Sequence, residues 1–334
     1  MTTHNSIETL PVPVQDLIRA IQAEESFTPS MAKRLLEGSS ITPADLEQWV
    51  DYDHPDADSY GRKLVFDGGH FELMVMSWVD GDMAATHDHG YTQWGAVKLF
   101  GTAEHAIFKM RDGRLTTSER RVFQAGDVVS VGHDLIHQMG NVGAERFLSL
   151  HLYGCYGRHG DITADARLYE LNEGNIQRTS GGVFFDLPED CVASREPGLQ
   201  ADFPTRLRHK VELLKRMMTA NGSLAKGAFQ SAAEQTLADE LFHADTWRRA
   251  EQDIQRADCE DQHLQTRYCD ILYQELTATA QLLSKLQAHG LINHPVASGL
   301  EDVTGVDCTF TVSKTYVELL SRHSGVELAL PMAA

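Results

Sequence analysis

The stretch Thr86-His-Asp-His-Gly-Tyr-Thr-Gln-Trp-Gly-Ala-Val-Lys-Leu-Phe-Gly101 places His87 and His89 two residues apart, ahead of an apolar run. In an extended strand, residues i and i+2 point to the same face. Both imidazoles can therefore aim into one interior. The chain carries 16 histidines, and imidazole accepts many metals, so a bare His-x-His decides little alone. A second stretch, Gly126-Asp-Val-Val-Ser-Val-Gly-His-Asp-Leu-Ile-His-Gln-Met-Gly-Asn141, spaces Gly126, Gly132, His137 and Asn141 as G-x5-G-x4-H-x3-N. Glycines at such corners suit strand reversals in a small barrel. His133, next to the loop glycine, is read as a non-ligand.

Working outward, residues from about 60 to 190 alternate short apolar or β-branched runs (FELMVMSWV, GAVKLF, EHAIFKM, RFLSLHLY) with turns such as DGG, DGD and RDGR. Many short strands at regular spacing indicate a sandwich or barrel. Asn175–Ser180 and Val183–Leu187, around Gly181-Gly182, read as one more hairpin. Upstream, Val14, Leu17, Ile18 and Ile21 fall on one helical face, and SITPADLEQWV opens a second helix with Thr42-Pro43 and Asp45. From about residue 203 the texture is helical, with neither Gly nor Pro between Gly227 and Gly290. The expected division is a helical segment over 1–55, a mainly β domain over 56–195, and a mainly α-helical extension over 196–334.

The 334 residues are 42% hydrophobic and 23% charged, an ordinary globular balance. The net charge of -19 argues against nucleic acid and anionic membrane as partners. The five cysteines are scattered and form no CxxC pair, which fits a reducing cytoplasm. The N-terminal residues show no signal-like pattern, and no apolar run approaches the roughly 20 residues of a membrane span.

Gly81-x5-His87-x-His89 and Gly126–Asn141 together resemble the paired motifs of the cupin superfamily. Ser149, His151 and Tyr153 share one strand face in SLHLY, and SYGRKLVF carries Arg62. These features together are similar to the cysteine dioxygenase family of thiol dioxygenases, over roughly residues 10–170. The resemblance implies Fe(II) held by His87, His89 and His137, with Ni(II), Mn(II) or Co(II) as alternatives and O2 as co-substrate. It implies a small thiol bound through thiolate and amine, Arg62 pairing with its carboxylate, and a sulfinate product. Tyr153 would act on bound oxygen or carboxylate, with His151 and Ser149 orienting it. Tyr60 and Trp94 are further expected pocket residues.

This chain departs from the cupin pattern at Thr92–Gly95, where a glutamate ligand would stand. Three neutral imidazoles leave a divalent ion's charge uncompensated, which favours an anionic substrate such as a thiolate. Trp94 stands five residues after His89, where family members carry cysteine or glycine, so a bulky ring in the pocket is expected. GCYGRHG replaces the family's Ser-Pro-Pro, and Cys155, Tyr156 and Arg158 belong either to the pocket mouth or to a loop without substrate contact. In the extension, Glu240/His243 and Glu260/His263 each match E-x-x-H, a pattern of solvated helix faces or of di-iron bundles. Its apolar positions suit a core or a homodimer seam. Besides a sulfinate-forming oxygenase, oxidation beyond the sulfinate, a non-catalytic metal or small-acid sensor, and a cupin isomerase or decarboxylase remain open.

Overall fold

The computed structural model describes residues 7–55, 58–111, 113–141, 143–157, 161–179, 182–185 and 187–202, with 205, 206, 208–210, 212 and 213 beyond them. The E-x-x-H pairs and the seam positions of the extension lie outside the described residues. The chain divides into two compact units: Met1–Lys109 with Ser118–Leu199, and Met110–Thr117 with the residues from Gln200.

The first unit starts with α1 (Val12–Gln22) and α2 (Pro29–Gly38), then a 3-10 turn over Pro43–Trp49. Val14, Leu17, Ile18 and Ile21 are the buried face of α1, as their helical spacing requires. Thr28 caps α2, its hydroxyl accepting from the Met31 N–H at 3.1 Å. Asp45 closes the 3-10 turn by accepting from the Thr42 backbone N–H at 2.8 Å.

Among the described residues twelve strands follow. Strands β1 (Gly61–Asp67), β2 (Phe71–Trp78), β3 (Trp94–Leu99), β6 (Val128–Gly132) and β8 (Phe147–Gly154) form one sheet in the order β1-β2-β8-β3-β6. A second face is built on β4 (Ala103–Arg111) paired with β7 (Ile136–Gly140), with β5 (Arg114–Phe123) beside β4. Strands β9 (Ala166–Glu170), β10 (Asn175–Thr179) and β11 (Val192–Pro197) form a third, antiparallel set. This is the mainly β architecture that the glycine-punctuated runs imply.

Two apolar clusters lie on the two faces of the first sheet. Leu148, Leu150 and Leu152 of β8 pack outward with the residues of α1 and α2. Tyr153 and Phe147, of opposite parity, pack inward with Met74, Met76, Trp78, Val97 and Leu99. The period of two along β8 therefore separates an apolar outer face from the polar triplet facing the barrel interior.

One hairpin assignment is corrected. β10 pairs with β9 and β11, the β9–β10 turn closing at Gly174 with φ +65°. The Val183–Phe185 segment instead lies along residues 84–85, the Ala85 N–H donating to the Val183 carbonyl at 2.9 Å. The Phe185 N–H is satisfied by the Ser59 hydroxyl at 2.8 Å, so this segment has donors and acceptors elsewhere and needs no pairing with β10.

In the second unit, β12 (Gln200–Ala201) runs parallel to Arg114–Leu115, and the Thr117 N–H donates to the Thr205 hydroxyl at 2.8 Å. Among the described residues no helix is long and apolar enough to cross a membrane.

Candidate metal centre

Residues 83–89 lie between β7 and β9. His87 and His137 exchange both backbone hydrogen bonds, each at 2.9 Å, while the Asp88 N–H donates to the Arg167 carbonyl at 3.0 Å. This pairing fixes the pleat, so His87 and His89 point inward and Asp88 between them turns to β9. There Asp88 accepts from the Gly90 and Arg167 N–H groups at 3.3 and 2.8 Å and forms an ion pair with the Arg167 side chain. The segment carrying two of the imidazoles is thus clamped on both sides.

His87, His89 and His137 converge, one nitrogen of each lying within 4.8 Å of the others, and all three are buried. The Nε2 atoms of His87 and His137 are 3.2 Å apart. Two ligands at right angles on one ion, each at about 2.1 Å, would stand about 3 Å apart. Both ring nitrogens of His89 are buried; the Leu135 backbone acts on the ring but no hydrogen bond of close geometry forms among the described residues, a costly arrangement unless a bound ion takes up the lone pair. The donor set therefore fits a divalent first-row metal. His133 stands apart, its Nδ1 3.2 Å from the Thr92 carbonyl.

Two outer contacts orient the ring planes. His87 Nδ1 donates to the Ala85 carbonyl at 2.7 Å, leaving its Nε2 lone pair free. His137 Nδ1 meets Nε2 of His105, in β4, at 2.7 Å. His105 escaped the sequence reading because a lone histidine within a strand carries no motif. Only the β4–β7 register, pairing His105 with Met139, brings it beside His137.

The interior face of β8 continues the site. Ser149 Oγ lies 2.7 Å from His151 Nε2, and His151 Nδ1 lies 2.7 Å from the Tyr153 hydroxyl. Trp78 Nε1 donates to Ser149 Oγ at 2.8 Å. An indole can only donate, so Ser149 Oγ accepts from Trp78. Ser149 keeps a second lone pair and its own proton, and the His151 tautomer sets which way the bonds to Ser149 and Tyr153 run. Burial pushes the His151 imidazole down to about 3 and the Tyr153 phenol well above its usual range. Both groups are therefore neutral at ordinary pH.

A cleft is bounded by Tyr60, Arg62, Met76, His87, Asp88, His89, Tyr153, Thr163, Ala166 and Val183. It brings Tyr60, Arg62 and Tyr153 together with two of the three imidazoles. Arg62 Nη2 donates to the Thr163 hydroxyl at 2.9 Å, which steadies the guanidinium. Tyr60 stacks on Trp78 with ring centroids 4.8 Å apart. Burial raises its phenol to about 12 against the opposing field of Arg62.

Trp94 is not among these residues, contrary to expectation. It is fully buried on the outer face of β3, in the cluster under α1 and α2, and stacks on Phe27 at 4.8 Å between centroids. The next residue, Gly95, pairs with Tyr153, and a Cβ there would stand 3.2 Å from Tyr153 Cδ1. The small residue opposite the tyrosine is thus Gly95, and Trp94 leaves the cleft open. Cys155 and Tyr156 also lie outside the cleft lining: the Cys155 thiol faces Gln93, and the Tyr156 hydroxyl donates to the Phe27 carbonyl. Arg158 lies outside the described residues.

Burial also holds the His87 and His105 imidazoles down to about 4, against a usual 6.5. Between these values the unfolded chain binds protons that the folded chain refuses, so stability falls as pH drops. The melting temperature of metal-stripped protein is expected to be level above pH 7 and to fall steadily from about pH 6.5 to 4. A flat profile over that window in thermal melts would mean that these imidazoles are hydrated.

Residues 2–156 match the family model described as cysteine dioxygenase type I. Cysteine dioxygenase type 1 of Danio rerio is 28% identical over 153 residues, covering 43% of this chain and 75% of that protein. The Bos taurus enzyme of the same name is 26% identical over 152 residues, covering 43% and 74%. Among solved structures, a double-stranded β-helix domain protein from Klebsiella pneumoniae is 17% identical and covers 36% of this chain and 88% of that one, with a TM-score of 0.28. The resemblance read from the histidine and Ser-His-Tyr motifs is met by the family match, and these homologues indicate an oxidoreductase of the dioxygenase class.

Proposed function

We propose that this chain uses O2 to oxidise the sulfur of L-cysteine or a close carboxylated thiol to the sulfinate, at a metal held by His87, His89 and His137. The observation that carries this reading is one cleft lined by His87, His89, Arg62 and the Tyr153 phenol together. Fe(II) is the metal favoured by the likeness to cysteine dioxygenases, with Ni(II), Mn(II) and Co(II) as the alternatives that an all-imidazole set also accepts. Bound there, such an ion would ionise the thiol and bring it next to O2.

The chain's own residues select and orient the substrate. The Asp88 carboxylate is committed to Arg167 and the Gly90 N–H. Arg62, whose field also reaches the buried Glu72, lines the cleft as its cationic group and can meet an incoming anion. With one Nη held by Thr163, the remaining N–H groups of the fork can grip a carboxylate bidentately. Tyr153, hydrogen-bonded to His151, places its phenol at the cleft and stays un-ionised because of burial. Trp78 and Ser149 hold the His151 ring in place behind it. The substrate is a small thiol, nucleic acid and membrane are not partners, and a homodimer would form through the residues after 200.

The test is anaerobic reconstitution with Fe(II), in parallel with Ni(II), Mn(II) and Co(II), followed by cysteine or other short carboxylated thiols and air. Uptake of O2 with a product heavier by two oxygens supports the reading. A product rearranged or cleaved beyond the sulfinate would place the reaction in a longer oxidation. Absence of uptake with every thiol and metal sinks the oxygenase and leaves the sensor and the isomerase or decarboxylase. In the same assay Arg62→Met should raise KM by about 10- to 150-fold, the loss of charge-assisted bonds worth about 1.5–3 kcal/mol, with kcat less affected. An unchanged KM would remove Arg62 from carboxylate binding.

A further inference from the structure

His105 is 2% exposed, lies on β4, and makes its one hydrogen bond among the described residues through Nε2, to His137 Nδ1 at 2.7 Å. Its Nδ1 is buried and finds no partner among them. An imidazole can either donate or accept, so which of the two rings owns the shared proton is settled by the task of His137. If His105 donated, His137 would carry its proton on Nε2, the atom that faces His87 at 3.2 Å, and could offer a metal no lone pair. For His137 to bind a metal through Nε2, His105 must accept, and its own proton must sit on the orphaned Nδ1.

We propose that His105 is a positioning residue of the metal centre, a neutral acceptor that fixes the ring plane and tautomer of His137. The inference rests on the reading of His87, His89 and His137 as a metal site and is independent of the reaction run there. It accounts for a buried nitrogen without a partner: the ring is kept for its Nε2 lone pair, and Nδ1 bears the cost. It also accounts for the charge arrangement. The neighbouring Glu104 is turned to Arg120, at 2.7 Å, and the contact behind His137 is the neutral ring of His105. The Ala85 carbonyl behind His87 and His105 behind His137 are both neutral. The contacts behind these two ligands thus orient them without adding negative charge, and the ion's charge stays available to an anionic ligand.

Metal-stripped full-length protein is titrated with Co(II) against a chromophoric chelator, and the visible bands of the Co(II) form are recorded. His105→Phe, which keeps the bulk and removes the acceptor, should weaken Co(II) binding by about 10- to 100-fold and shift those bands. His105→Gln places an amide oxygen where Nε2 stood and should restore affinity to within about threefold of the parent. Should His105→Phe fail to fold, His105→Met against His105→Gln gives the same comparison. Parent-like affinity in His105→Phe overturns the proposal, as does an equal loss in the Phe and Gln variants with melting temperatures preserved. His137→Ala separates the two levels. If it leaves Co(II) affinity unchanged, the metal site and the role of His105 both fall. If it abolishes binding while His105→Phe binds normally, only the role of His105 falls.

Discussion

His87→Ala is expected to weaken divalent-metal binding by more than about 100-fold, a larger loss than removing a contact behind a ligand brings, and to abolish O2 uptake. The ring is held edge-on by the Ala85 carbonyl at 2.7 Å and faces His137 Nε2 at 3.2 Å. Its removal leaves two imidazoles, so the ion loses a ligand, while the backbone pair between residues 87 and 137, which alanine keeps, still closes the strands. The stability readout has a direction that an ordinary core truncation would not show. In the metal-free protein three imidazoles are buried close together, and neither nitrogen of His89 forms a hydrogen bond of close geometry among the described residues. Deleting one relieves desolvation as well as removing packing, so the metal-free melting temperature should change little. The rise on adding metal, about 2.7 kcal/mol at a hundredfold excess over Kd in the parent, should vanish. His133→Ala is the control. Its ring is turned to the Thr92 carbonyl, and full metal response is expected. Metal content by elemental analysis equal to the parent's in His87→Ala would refute the ligand assignment.

The parts of the fold that could be read directly were those governed by short periods. The helical spacing of Val14, Leu17, Ile18 and Ile21 and the alternation of Leu148–Tyr153 each declare a buried face within a few residues. The histidine triad was legible because the glycines bracketing it mark corners whose spacing fixes which strands meet. His105 and Trp78 were not legible, since each acts through a partner far along the chain, 32 residues away for His105 and 71 for Trp78. Thr163 belongs to the same class, reaching Arg62 from a loop beyond β8. No local pattern encodes such pairings; they appear only once register is set. Trp94 illustrates a different failure. Counting five residues from His89 assumes a loop of fixed length, but which face a strand residue takes depends on where the pleat begins, and a shift of one residue exchanges the faces. Pairing of Trp94 with Gly154 and of Gly95 with Tyr153 puts the glycine inside and the indole outside.

That exchange of faces yields the second large effect. Trp94→Ala should destabilise the protein by about 3–5 kcal/mol, the cost of emptying a fully buried indole site, and lower the melting temperature by on the order of 10 °C. The indole stacks on Phe27 and fills the space over Gly154, where a Cβ would stand 2.0 Å from Trp94 Cζ2. Nothing of comparable volume can move into the vacated space without shifting the helices over the sheet. Because the ring faces away from the cleft, metal affinity and KM for the thiol should stay within about twofold, a change worth less than about 0.5 kcal/mol. Gly95→Ala should behave in the opposite manner. Its Cβ would approach the Leu152 carbonyl to 2.3 Å and Tyr153 Cδ1 to 3.2 Å, so β3 and β8 must separate and Tyr153 must move. Turnover should then drop along with stability. A Trp94→Ala protein that melts like the parent but changes KM tenfold would return the indole to the pocket. The pair of variants thus measures, on adjacent residues, which side of one strand belongs to the core and which to the chemistry.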